Sequence, residues 1–116
     1  LGDVYKRQLI DSAKDYVHRN YRSVDLGLDD TCKELGVSNS YFSSLFKKET
    51  GSSFVEYLTD YRMDKAARML VETDDKSYVI AQNVGYADPN YFSYVFKRKY
   101  GVSPSRYRTE YEKNKV

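Results

Sequence analysis

Apolar residues in this chain recur at spacings of three and four, interrupted by glycine or by small polar clusters, and that pattern predicts a series of short helices. Leu9, Ile10, Ala13, Tyr16 and Val17 mark one buried stripe on a helix from Leu9 to Tyr21. Leu28, Cys32 and Leu35 mark a second over Leu28 to Leu35, with Asp25 expected as its cap and Gly36 as its stop. Tyr41, Phe42, Leu45 and Phe46 define a third, Ser40 to Glu49, opened by Ser38 or Asn39 and closed by Gly51. The longest periodic stretch, Ser53 to Glu72, carries apolar surface on more than one side and spans about 30 Å as a helix. After the polar break Thr73 to Ser77, the residues Val79, Ile80, Ala81 and Val84 start another helix. Asp88 and Pro89 then cap and open Asn90 to Lys99, and Ser103 and Pro104 open Ser105 to Lys113, with Tyr107 and Tyr111 expected inward.

The second half of this series repeats the first. Gly36, Tyr41-Phe42-Ser43, Phe46-Lys47, Gly51, Ser53 and Tyr57 return as Gly85, Tyr91-Phe92-Ser93, Phe96-Lys97, Gly101, Ser103 and Tyr107, offset by 49 at the first glycine and by 50 afterwards. The expected fold is therefore all-α, with seven helices in two related units joined by the long central helix. Each unit has a short helix, a glycine turn and a second short helix with polar residues outside. That is the form of a helix-turn-helix and also of a plain αα-hairpin, and the periodicity alone does not separate them. Two copies of a reading element suit a repetitive partner such as DNA.

Composition narrows the choice. The 116 residues carry 19 Lys and Arg against 17 Asp and Glu, a net charge of +2, so only segregation of positive charge onto one face would favour nucleic acid. Lys47-Lys48 and Lys97-Arg98-Lys99 fall at matching places in the two copies, with Arg106 and Arg108 just beyond. The single cysteine, Cys32, precludes an intrachain disulfide or a thiolate cluster. Its counterpart in the second copy is Ala81, which marks both as packing positions. The single histidine, His18, has no partner for a metal set, and there is no phosphate-binding G-x-x-x-x-G-K-[ST] loop. No catalytic residue, cofactor or metal is expected. With no run long enough to cross a bilayer, no membrane role is expected either, and the anticipated location is the cytoplasm. Thirteen tyrosines and five phenylalanines without tryptophan mean that some tyrosines fill core space while their hydroxyls find polar partners. Residues 1–8, LGDVYKRQ, show neither cap nor periodic face and resemble the translated read-through of a sequencing adapter. They are expected to be non-native or disordered, with the domain covering 9–113: a first subdomain 9–51, a connecting helix 53–72 and a second subdomain 77–113.

The stretch GYADPNYFSYVFKRKYGVSPSRYR, residues 85–108, resembles the signature of the AraC/XylS-type DNA-binding domain, G-[FY]-x-[DS]-x-x-[YH]-F-x-x-x-F-K-[KR]-x-x-G-x-[ST]-P-x-x-[YF]-R. Residues 35–71 resemble the family's first motif with its connecting helix, and the likeness spans nearly all of 9–113. The wording is most similar to output domains of bacterial two-component response regulators. The resemblance implies transcription regulation by two helix-turn-helix units whose recognition helices enter successive major-groove segments, roughly 34 Å apart. It implies base contacts from Ser40, Ser43, Ser44, Asn90, Tyr91 and Tyr94, and phosphate contacts from Lys47, Lys48, Lys97 and Arg98. Its partners would be double-stranded promoter DNA, RNA polymerase and an N-terminal receiver or sensor domain missing from this chain. Arg62 would make a structural ion pair or a phosphate contact.

One departure stands out. The position two residues before the second phenylalanine of each motif, often arginine in the family, is Ser44 in one copy and Tyr94 in the other. Without a bidentate arginine on guanine, intrinsic specificity is expected to be modest, and phosphate contacts should supply much of the affinity. Asn90 suits adenine and a tyrosine edge suits a thymine methyl. The repetition of Tyr41 as Tyr91 favours packing for that pair. A weakly specific architectural DNA binder and a helical protein-interaction module are the alternative readings.

Overall fold

The computed structural model describes residues 2–115 and contains seven helices among them: α1 (Gly2–Asn20), α2 (Leu28–Leu35), α3 (Asn39–Thr50), α4 (Phe54–Glu72), α5 (Ser77–Asn83), α6 (Pro89–Tyr100) and α7 (Pro104–Asn114). The chain divides into two compact units between Asp60 and Tyr61, inside α4. The all-α expectation, with two helix-turn-helix units linked through a long central helix, is borne out.

In the first unit α1 packs on α2 and α3, and α2 packs on α3. Leu9, Ile10, Ala13 and Val17 are the buried stripe of α1, and Cys32 of α2 and Phe42, Leu45 and Phe46 of α3 are buried in the same unit. Burial pushes the Cys32 thiol above its ordinary range, with the Asp29 charge adding to the effect, as suits a packing residue. Phe54 sets its ring edge-on to Phe42 and Phe46, at 5.5 and 5.6 Å between centroids. Ser53 and Glu56 cap α4 reciprocally. The Ser53 hydroxyl accepts from the Glu56 amide at 3.1 Å, and the Glu56 carboxylate accepts from the Ser53 amide at 3.3 Å.

The second unit repeats this plan with different filling. Its α6 packs with α5 and α7 around Ile80, Ala81, Val84, Phe92 and Phe96. Phe96 meets Tyr107 edge-on at 5.4 Å, as Phe46 meets Tyr57 at 5.6 Å. Pro104 stands buried where the first unit has Phe54, and the Tyr100 ring lies against Phe96 at 4.6 Å. Gly36 and Gly85 both hold positive φ, 71° and 97°, at the turns before the two recognition helices. Only glycine takes that conformation without strain, which explains the recurrence.

Four details differ from the sequence expectations. The first helix begins at Gly2 and not at Leu9, although no side chain is buried before Leu9; a helix once started propagates through residues that gain no tertiary packing. Gly27, not Asp25, precedes α2 as its cap, with no side-chain bond, because the Ser23 hydroxyl draws the Asp25 amide into a separate turn. Tyr111 is exposed, because the tail of α7 runs beyond the core that Phe96 and Tyr107 close. Arg108, part of the basic run, is spent inside its own unit. Its guanidinium donates to the Leu70 carbonyl at 2.8 Å and to the Thr73 carbonyl at 3.0 Å, satisfying the last turn of α4. Arg108→Ala is expected to destabilise the second unit by about 1.5–3 kcal/mol, the usual worth of charge-assisted bonds, measured by urea denaturation. Loss of less than half a kcal/mol, on the order of a surface substitution, would show that the clamp is idle.

Candidate nucleic-acid interface

The two helices that follow the glycine turns are built alike from their first residue. Ser38 caps α3 by accepting from the Tyr41 amide at 3.2 Å, and Asp88 caps α6 by accepting from the Asn90 amide at 2.9 Å. Pro89 occupies the first position of α6, where no amide hydrogen is needed. Asn39, exposed at the start of α3, donates from its side chain to the Asp29 carboxylate of α2 and so ties the turn.

Successive helical residues are about 100° apart, so burial of one face fixes the other. In α3, Phe42, Leu45 and Phe46 are buried, which places Ser40, Ser44, Lys47 and Lys48 together on the opposite, exposed face. In α6, Phe92 and Phe96 are fully buried, and Asn90, Tyr94, Lys97 and Arg98 share the exposed face. Eight of the ten residues expected to meet DNA therefore converge, four on each helix. The other two, Ser43 and Tyr91, lie at the shoulders. Ser43 is half-buried, as is its counterpart Ser93, so the residue repeated in both copies sits at the edge of the core.

Electrostatics sort the cations further. Among the described residues, the side chains of Lys48 and Lys97 make no ion pair or hydrogen bond, and they stand in solvent on the outer faces. Lys47 lies on the same face and exerts its field on Glu56. Lys99 turns away to Asp64, whose carboxylate accepts from the ammonium at 2.7 Å and from the Tyr100 hydroxyl at 2.9 Å. Partial burial pushes the Asp64 carboxyl up, but the Lys99 and Tyr100 bonds and the Lys99 charge outweigh this and hold it below its usual range. Arg62 is buried, which lowers its pKa, and its guanidinium lies over the Tyr86 ring at 5.4 Å.

Tyrosines on α6 form a feature that helix-by-helix reading passes over. Tyr86, in the turn, meets Tyr91 at 6.0 Å, and Tyr91 meets Tyr94 at 6.3 Å with planes 29° apart. Arg98 lies over Tyr94 at 5.7 Å and donates to its hydroxyl oxygen at 3.3 Å. The spacing of three and four between Tyr91, Tyr94 and Arg98 was the available signal. Nothing in α3 matches it, since Ser44 has no ring.

A family described as "Helix-turn-helix domain" matches residues 31–110. The chain belongs to this helix-turn-helix family. The C-terminal domain of the response regulator AraT from Geobacillus stearothermophilus is 39% identical, with a TM-score of 0.86 over 88% of this chain and 84% of that one. The C-terminal domain of the two-component response regulator yesN from Fusobacterium nucleatum is 36% identical, with a TM-score of 0.81 over 83% and 93%. The lactose operon transcription activator of Staphylococcus xylosus is 36% identical over 80 residues, 69% of this chain but 28% of that protein. The helix-turn-helix chain thus spans under a third of that curated relative. It is a DNA-binding helix-turn-helix domain related to response-regulator output domains, with a general role in transcription regulation. Among the described residues, no helix is long and apolar enough to cross a membrane.

Proposed function

We propose that α3 and α6 act together as two readers of one promoter duplex, each entering a major-groove segment, with residues 9–113 as the functional domain. The observation that carries this is the repeated face: in each unit small polar or aromatic side chains and lysines lie directly opposite the phenylalanine pair. Ser40, Ser43 and Ser44 read one half-site, and Asn90, Tyr91 and Tyr94 read the other. Lys47, Lys48, Lys97 and Arg98 meet the phosphates, which fix register without reading sequence. Within the cell the domain is the cytoplasmic output module of a longer regulator, driven by an N-terminal receiver or sensor domain and acting through RNA polymerase. The likeness to two response-regulator C-terminal domains supports the receiver assignment.

Selection from a random duplex library tests the reading. A bipartite site is expected, with halves about ten base pairs apart. No enriched site, or one of half that extent, sinks the joint mechanism. With the site in hand, Tyr94→Ala is expected to lower discrimination in one half by about 1 kcal/mol per contacted position. Lys97→Ala should weaken all duplexes alike and shallow the salt slope by about 0.9. The absence of arginine from positions 44 and 94 favours a second reading, a weakly specific architectural binder. That reading requires near-equal affinity for unrelated duplexes.

A further inference from the structure

We infer that the second unit reads the methyl group of a thymine through the Tyr94 ring, and that Arg98 is the residue that positions this ring. The inference rests on the proposed role of α6 as a base reader. Tyr94 is 57% exposed on the outer face of its helix, yet its ring is held from both neighbouring turns. Tyr91, three residues before, stacks against it at 6.3 Å and is itself braced by Tyr86. Arg98, four residues after, covers it at 5.7 Å and donates to its hydroxyl oxygen at 3.3 Å.

A ring fixed in this way loses little freedom when it docks, so its contacts count in full toward discrimination. Its polar atom is already engaged by the guanidinium. That bond takes one lone pair of the oxygen and leaves the O–H free to donate, so what a base edge meets is ring carbon together with one donor. The major groove presents one apolar group of its own, the C5-methyl of thymine, and ring carbon is its match. A guanidinium has five N–H donors in a planar fork, so Arg98 can hold Tyr94 with one and reach a phosphate with others. That ties the orientation of the reader to the register of the backbone. The first unit has Ser44 and Lys48 at the same two positions. With no ring there, thymine reading of this kind belongs to one half-site only, and the molecule carries its own control.

The test uses the 116-residue chain and its selected duplex, with each thymine replaced in turn by uracil, which removes only the methyl group. Loss of one buried methyl should weaken binding about fourfold, at one or two positions confined to the half-site that Tyr94→Ala maps. Arg98→Ala is expected to abolish this uracil penalty as completely as Tyr94→Ala does. Arg98→Lys, which keeps the charge but not the fork, should recover most of the overall affinity and only part of the penalty. Lys48→Ala should weaken every duplex and leave the penalty as it was. A penalty that survives Arg98→Ala overturns the positioning role, and no uracil penalty in the wild-type chain overturns the methyl reading. Both outcomes leave the DNA-reading function standing. Failure to enrich any duplex overturns the function and this inference with it. Arg98 and Tyr94 are surface residues, so melting curves should coincide with wild type.

Discussion

Replacing Lys47, Lys48 and Lys97 together with alanine is expected to strip most of the salt dependence from binding while leaving the choice of site untouched. Each phosphate contact contributes about 0.9 to the slope of log affinity against log salt, so three should make the slope about 2.7 shallower. Between 50 and 200 mM salt the wild-type chain should thus lose roughly 40-fold more affinity than the triple variant. The three lysines stand on the faces opposite Phe42, Phe46, Phe92 and Phe96. Their removal deletes charge without opening a core. Arg98 is deliberately kept, because it also holds Tyr94. The measurement is a titration series of the selected and an unrelated duplex at several salt concentrations. Equal slopes for wild type and variant would mean that these lysines do not meet phosphates. A collapse of site preference along with affinity would mean that they do more than anchor.

The scaffold was legible in the sequence because it obeys local rules. Phe42 with Phe46 and Phe92 with Phe96 are buried since their spacing of four puts each pair on one helical face. Gly36 and Gly85 recur since the turn needs positive φ. Ser38, Asp88 and Ser103 cap since a short polar side chain before a helix can reach the orphan amides. What escaped depends on partners distant in sequence or on competition between equals. No local pattern says that Arg108 will satisfy the Leu70 carbonyl 38 residues earlier, or that Lys99 will turn to Asp64. Asp25 was the expected cap of α2, but the Ser23 hydroxyl takes its amide into a separate turn, and Gly27 precedes the helix instead. In the candidate site the outer faces were readable from the repeat. The tethering of Tyr94 had only the three-and-four spacing of Tyr91, Tyr94 and Arg98 as its signal, and side chains so spaced on a helix can equally each face solvent.

Phe96→Ala is expected to unfold the second unit while leaving the first protected, and Phe46→Ala to do the reverse. Deleting a fully buried phenylalanine costs about 3–5 kcal/mol. A unit of this size, on the order of 55 residues, holds only about 3–8 kcal/mol in all. The loss is therefore comparable to everything the unit has. Phe96 is a hub: it touches Phe92 at 6.0 Å, Tyr100 at 4.6 Å and Tyr107 at 5.4 Å, so its removal takes α6 and α7 apart together. Phe46 plays the same part for Phe42, Phe54 and Tyr57. Since the chain divides inside α4, each cavity should be confined to its own side. Amide hydrogen exchange resolved by residue decides the matter. In Phe96→Ala, protection should vanish from α5 to α7 and persist from α1 to α3. Uniform loss across both units would show instead that α4 carries unfolding from one to the other. In that case neither reader could be weakened without the other, and any half-site effect of a core substitution would be indistinguishable from general loss of binding.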